Sequence, residues 1–180
     1  LEHRWLYGVT GHVPENDYRV DLDRAKVVRS GTDITLVGVS YMTLECLAAA
    51  ILLEEAGISA EVVDLRSIRP LDVETILESV RETGRVLTVD NAHLIGGVSA
   101  EISAVVSESA FERLEVPPQR LGFPDHPTPT SPALADGYYP LPHEIAFKCA
   151  QMIGRAVIFD PPDLGDRRLD QPNVTYHGPF

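Results

Sequence analysis

The sequence predicts a three-layer α/β/α domain built on a mostly parallel sheet. Short apolar runs alternate along the chain with helical patterns of about a dozen residues, which is typical of strand–helix–strand units. The run 34–39 is almost entirely apolar, as expected of a strand covered on both faces. With 180 residues, 44% of them hydrophobic and 23% charged, the chain is long enough for one well-cored domain.

The first half of this pattern begins after an extended lead-in, predicted over 1–23. A strand at 25–29 and a turn at 30–33 precede the buried strand at 34–39. A helix then runs over 42–55, and Gly57 is placed to end it in the left-handed conformation that favours glycine. A third strand follows at 60–65.

The second half repeats the alternation. A helix opens at 70–72 and runs to Thr83, with Asp72 as its N-cap and Gly84 as its end. A strand at 86–89, a long helix at 99–114 and a last strand at 119–123 come next. After a proline-rich loop, the final helix covers 142–155. The predicted domain therefore spans 24–155, and the polar segment 156–180 is predicted to be an extended tail.

Charge and apolar patterning exclude several classes of protein. The formal net charge is −12, which argues against nucleic acid or an anionic membrane surface as a partner. The longest apolar stretch, 44–53, is too short to span a bilayer. Cys46 and Cys149 lie in predicted helices without Cys-x-x-Cys spacing, which favours two free buried thiols in a reducing compartment. We therefore expect no nucleic acid, no membrane and a cytoplasmic setting.

The strongest motif for ligand binding is the Gly96-Gly97 turn between the fourth strand and its helix. Backbone N–H groups at such a turn can hold an anion, although a tight strand-to-helix turn is the simpler interpretation of the pair. The chain contains neither a Gly-x-Gly-x-x-Gly motif nor a Walker-type Gly-Lys-Ser. An anion site at Gly96 and Gly97 is thus the alternative to a structural turn.

Other polar residues near strand ends give no catalytic set. His93 and His126 lie on loops and are more simply structural than catalytic. Asp64 and Arg66 are spaced to form an ion pair that shapes the turn after the third strand. Ser40 lacks the flanking glycines of a nucleophile elbow. No residue is assigned a catalytic, cofactor-binding or metal-binding role on this basis.

A resemblance to a known family appears when longer segments are read in order. They are Val-Pro-Glu-Asn-Asp-Tyr at 13–18, the strand–turn–strand segment 25–37, the run 57–72 with its Asp-Leu-Arg-x-x-x-Pro-Leu-Asp core, and the segments 78–85, 96–102 and 124–129. Together they resemble the C-terminal domain of the transketolase family over about 1–155. The similarity is greatest to the β subunit of thiamine-diphosphate-dependent 2-oxo-acid dehydrogenases.

The resemblance implies a mixed five-stranded sheet with one antiparallel strand. It implies a domain for dimerisation and partner docking, inactive alone, within an enzyme that uses thiamine diphosphate and Mg²⁺. None of that cofactor is expected on this chain. The implied partners are a second copy, an α subunit or the missing diphosphate- and pyrimidine-binding domains, and a dihydrolipoyl acyltransferase, for which Glu115 is the candidate docking residue.

Two alternatives stay open. One is the corresponding domain of a transketolase or a deoxyxylulose-phosphate synthase, for which phosphorylated substrates predict more cations near the substrate channel. The other is a stand-alone α/β module that binds an anion or a nucleotide at Gly96 and Gly97.

Overall fold

The computed structural model describes residues 3–131, 134–135 and 137–161, so most of the predicted tail lies outside the described residues. The strands are β1 (Lys26–Arg29), β2 (Ile34–Gly38), β3 (Ala60–Asp64), β4 (Val86–His93) and β5 (Gln119–Phe123). The α-helices are α1 (Met42–Glu55), α2 (Val73–Thr83), α3 (Val98–Ser109) and α4 (Pro142–Ile153). Short 3₁₀ turns cover Arg4–Gly8 and Phe111–Arg113.

The strands form one mixed sheet in the order β1-β3-β2-β4-β5. β1 runs antiparallel to β3, and the other three pairings are parallel. All five residues of the central strand β2 are buried, as its apolar run predicts. The predicted fold class is confirmed.

Helices cover both faces of the sheet because each face carries its own apolar cluster. One cluster joins the sheet to α1 and α4, and the other joins it to α2 and α3. Gly38 permits a close approach on the first side, since a Cβ there would lie 2.5 Å from the Cα of Thr43 in α1. The result is the predicted three-layer arrangement.

Two predicted boundaries are wrong by four residues or more, while the final helix ends at Ile153, two residues before its predicted end. β4 continues to His93 instead of ending at Val89, with a shift in its register against β5 between these two residues. The helix predicted over 99–114 ends at Ser109, because Ala110 leaves helical geometry at φ −135°. Phe111, which lies within the predicted helix, has an exposed side chain that does not pack on the core.

The lead-in divides into two parts. Trp5, Leu6 and Val9 pack against the cluster shared by α1 and α4, so this end belongs to the packed body. Residues 10–24, here called the strap, form no helix or strand before β1 begins. The predicted division of the chain into three regions stays a prediction.

Candidate functional site

The carboxyl edge of the sheet, where β2, β3, β4 and β5 end, is the usual place for a ligand in an open α/β fold. Two residues other than glycine adopt left-handed backbone conformations there, Ser40 (φ 56°) after β2 and Arg66 (φ 55°) after β3. Such conformations carry strain and concentrate at functional sites. The carboxyl edge is therefore the first candidate site.

A small polar network fixes the end of β3. Arg66 Nε lies 3.5 Å from Asp64 Oδ2, which confirms the predicted ion pair. Thr43 Oγ1 on α1 donates to the other carboxylate oxygen of Asp64 at 3.2 Å. The side chains of Arg66 and Asp64 are 25% and 18% exposed, so the network holds the Arg66 side chain at the surface of the sheet edge.

A cavity of about 1250 Å³ lies beside this network. Its lining includes Asp64, Arg66 and Ser67 at the end of β3 and, from the strap, side chains that are mostly apolar. The cavity is thus lined by polar groups from the sheet edge and by apolar groups from the strap. No sequence pattern indicated this cavity, because the strap and the end of β3 are distant in the chain.

A side-chain carboxylate of this chain, that of Asp90, lies at the Gly96-Gly97 turn. The buried carboxylate of Asp90 accepts the Ser99 N–H at the start of α3 at 3.3 Å, and burial raises the pKa of Asp90 more than its bonds to nearby amides lower it. A Cβ on Gly97 would lie 2.5 Å from the carbonyl oxygen of His93, so this close turn requires glycine. A structural role explains the turn, and an external anion there stays a prediction.

The two candidate histidines brace the proline-rich loop. His93 Nδ1 lies 2.8 Å from the carbonyl oxygen of Pro124, and His126 Nδ1 lies 3.1 Å from that of Pro127. The His126 ring also contacts Tyr138, with centroids 5.2 Å apart. These contacts agree with the structural interpretation of both residues.

An aromatic cluster that sequence reasoning missed anchors the start of the chain. Trp5 contacts Tyr41 at 5.0 Å and Tyr139 at 4.9 Å between ring centroids. Phe123, at the end of β5, contacts both Tyr138 and Tyr139. The only signal in the sequence was that four of these five aromatic residues, all except Phe123, lie outside the predicted helices and strands.

Glu115 lies at the opposite, amino edge of the sheet. Its N–H donates to the carbonyl of Gly84 at 2.9 Å, and its carboxylate pairs with Arg85. Arg85 also donates to the carbonyl of Asp33 at 3.1 Å. Glu115 thus joins the loop before β5 to the starts of β2 and β4, while its side chain stays more than half exposed. The docking role stays a prediction.

Three further expectations concern metals, thiols and membranes. Among the described residues, no group of three or more His, Cys, Asp or Glu side chains is arranged to hold a metal ion. Cys46 and Cys149 are free and buried, as predicted, and burial raises the pKa of both thiols, which makes them poor nucleophiles. No described helix is long and apolar enough to cross a membrane.

Exposed apolar side chains are frequent on the strap and on the loops after β3, β4 and β5. Contiguous exposed apolar surface typically marks an interaction site. The residues, each more than 40% exposed, are Val13, Tyr18, Val20, Leu22, Ile68, Ile95 and Leu134. These exposed side chains make the strap and the loops at the carboxyl edge a candidate contact surface.

Comparisons with known proteins agree with the resemblance seen in the sequence. A family model described as "Transketolase, C-terminal domain" matches residues 23–145. The β subunit of acetoin:2,6-dichlorophenolindophenol oxidoreductase from Cupriavidus necator is 42% identical over 145 residues, covering 81% of this chain and 43% of that protein. The pyruvate dehydrogenase E1 component β subunit from Bacillus subtilis is 43% identical over 134 residues, covering 74% of this chain and 41% of that protein.

A solved structure is also similar. It is titled "Split gene transketolase, inactive beta4 tetramer" and matches with a TM-score of 0.69 and 32% identity, covering 81% of this chain and 46% of that one. This chain spans less than half the length of each of these three proteins. The family model, the sequence similarity and the fold together show that this chain belongs to the transketolase C-terminal domain family.

Proposed function

We propose that this chain is the C-terminal domain of the β subunit of a thiamine-diphosphate-dependent 2-oxo-acid dehydrogenase, and that it serves assembly rather than bond breaking. The observation that carries this proposal is the carboxyl edge, which presents exposed apolar side chains instead of a set of catalytic groups. The similarity of this chain to the β subunit of the pyruvate dehydrogenase E1 component supports the assignment to that class of enzyme.

The Gly96-Gly97 turn, the anion site that the sequence suggests, does not fit a magnesium-bound diphosphate. Such a group needs free N–H donors for its phosphates, but the Ser99 N–H at the start of α3 bonds to Asp90. Among the described residues, no group of three or more His, Cys, Asp or Glu side chains is arranged to hold a metal ion. In this proposal, thiamine diphosphate and Mg²⁺ bind to other parts of the enzyme.

The proposed contribution of this domain is self-association and the docking of partner subunits. A homodimer would combine with an α subunit, or with diphosphate- and pyrimidine-binding domains, and with a dihydrolipoyl acyltransferase. The net charge of −12 favours a basic docking partner, since complementary potentials speed encounter. Glu115 is the proposed docking residue because its carboxylate is exposed at the sheet edge. A cytoplasmic setting is supported by the two free cysteines.

A transketolase is the second candidate function. The split-gene transketolase structure favours it, because that protein shares 32% identity and the same fold with this chain. A deoxyxylulose-phosphate synthase belongs to the same alternative. In both cases this domain would again be a supporting one, and the phosphate-binding cations of the substrate channel would lie on other domains.

Calorimetric titration of thiamine diphosphate with Mg²⁺ into this chain, together with light scattering, tests the proposal. We expect no saturable heat and a mass about twice 19.7 kDa. Saturable binding, or turnover of pyruvate by this chain alone, would overturn the assembly role. Binding of inorganic pyrophosphate that is lost in Gly97→Ala would instead support the stand-alone anion module.

The class of enzyme is tested on the assembly that the chain forms with its native partners. Affinity purification from the source cells recovers that assembly, which is then assayed with pyruvate, acetoin and a ketose phosphate. Consumption of pyruvate or acetoin, with acyl transfer to lipoamide, would support the dehydrogenase. Ketol transfer from the ketose phosphate would support the transketolase and exclude the first candidate.

A further inference from the structure

The strap contains a strand-like pattern that no described strand satisfies. From residue 18 to residue 23 the sequence is Tyr-Arg-Val-Asp-Leu-Asp, an alternation of apolar and charged side chains. Alternation of period two is the pattern of a β-strand with one apolar face. Tyr18, Val20 and Leu22 are 55%, 44% and 82% exposed, so this face is not covered by the rest of the domain.

The backbone of the strap is equally unpaired. In the described part of the chain, no backbone group of residues 10–20 bonds to another backbone group, and a turn follows at residues 22–23. Tyr18, Val20 and Leu22 line the cavity at the carboxyl edge, together with Asp21, whereas Arg19 does not. The strap thus has the sequence of a strand and free N–H and carbonyl groups, which are the features that another strand can pair with.

The alternating segment is complementary to itself. When two copies are placed antiparallel with Val20 opposite Val20, Tyr18 lies opposite Leu22 and Arg19 lies opposite Asp21 on each side of the centre. Every opposed pair from residue 18 to residue 22 is then apolar with apolar, or cation with anion. Directly opposed pairs of these kinds stabilise an antiparallel ladder, while like charges destabilise it.

We propose that the straps of two copies of this chain pair as an antiparallel two-stranded ribbon centred on Val20. The interface is isologous, because each residue meets its complement across a two-fold axis. The apolar faces of both straps then cover the cavities at the carboxyl edges. The ladder ends after five residues, since Asp17 would lie opposite Asp23. This inference rests on the self-association in the proposed function and assigns it to a surface.

A cysteine placed on the two-fold axis tests the register. In an antiparallel pair, directly opposed Cα atoms lie about 4.5–5.5 Å apart, which a disulfide can bridge. Val20→Cys is therefore expected to form a covalent dimer under mild oxidation, seen on non-reducing gels. Ile51→Cys, at an exposed position on α1, is the matched control and is expected to stay monomeric. Equal crosslinking of the two variants would overturn the register.

Charge exchange tests the same pairing without a covalent bond. Arg19→Asp or Asp21→Arg places like charges opposite each other twice per dimer, so each single variant is expected to dimerise about tenfold more weakly by light scattering. The double variant R19D/D21R restores opposite charges and is expected to recover dimerisation to within about threefold of the wild type.

The outcomes separate this inference from the proposed function. A dimer that is insensitive to both single charge variants and is not crosslinked by Val20→Cys would overturn strap pairing and leave the assembly role intact. A strictly monomeric wild-type chain would also overturn strap pairing. Binding of thiamine diphosphate by this chain would overturn the assembly role without bearing on the strap.

Discussion

Asp72 joins three parts of the structure, so its removal should cost more stability than that of any single surface charge. The carboxylate accepts the Thr75 N–H at 3.2 Å and the Thr75 hydroxyl at 2.7 Å, which caps α2. It also accepts the Ala25 N–H at 2.9 Å, where the strap ends before β1. Asp72 is only 7% exposed, so water cannot readily replace these bonds.

The expected cost of Asp72→Ala follows from these contacts. Loss of the N-cap costs about 1 kcal/mol, and leaving the partly buried Ala25 N–H and the Thr75 hydroxyl without their acceptor adds about 1–2 kcal/mol. We expect urea denaturation at pH 7 to show a loss of about 2–3 kcal/mol in the free energy of unfolding. Glu74→Ala, which removes an exposed ion pair with Arg81 in the same helix, is the control and should cost less than about 0.5 kcal/mol. Equal costs for the two variants would refute the bridging role of Asp72.

The same carboxylate gives the domain a defined pH dependence. Burial acts to raise the pKa of Asp72, but hydrogen bonds from Thr75 and Ala25 and the charge of Arg24 outweigh it, so the pKa is lowered. A lowered folded-state pKa means that this stabilisation is present above the unfolded value, about 3.9, and is lost as the pH falls through the folded value. The stability difference between the wild type and Asp72→Asn should therefore shrink below about pH 4.

Three further changes test the packing of the carboxyl edge and of α1. Gly97→Ala forces a Cβ to 2.5 Å from the carbonyl oxygen of His93, so it should lower the free energy of unfolding in urea by more than about 2 kcal/mol. Gly96→Ala is the control, because its Cβ meets open space and only the φ of +75° opposes it, and it should cost about 1 kcal/mol. Similar losses for the two variants would contradict the close approach at Gly97. Because burial raises the folded-state pKa of Asp90, its protonation favours the folded state. The wild type should therefore gain stability relative to Asp90→Asn as the pH falls through the raised folded value toward the unfolded value, about 3.9. A gain with rising pH would have the wrong sign. Arg155 donates hydrogen bonds to two carbonyls at the end of α1, so Arg155→Ala should lower the melting temperature by about 2–4 °C. Arg155→Lys should retain part of this stabilisation. An unchanged melting temperature in Arg155→Ala would show that solvent replaces the lost hydrogen bonds.

The sequence by itself determined most of the secondary structure. The bounds of α1 and β5, the N-cap Asp72 and the left-handed Gly84 all agree with the predicted ones. These features depend on local signals, namely apolar periodicity, capping side chains and glycine, which act within a few residues. The long motifs at 57–72 and 96–102 also sufficed to indicate the family. The end of α3 was predicted too late, because the backbone leaves the helix at Ala110 and residues 111–113 form a separate 3₁₀ turn.

Only the tertiary structure decided which residues meet at the carboxyl edge. Trp5 contacts Tyr139, and the strap faces the end of β3 across a cavity, although these segments are distant in the chain. Asp90 was not singled out in the sequence, yet its carboxylate bonds to the amide that the Gly96-Gly97 turn was expected to offer an external anion. Such contacts depend on how helices pack on the sheet, and packing is set by all the side chains at once rather than by local preference. For this reason the sequence indicated the fold and the family, while the exposed strap and its unpaired backbone emerged only once the chain was folded.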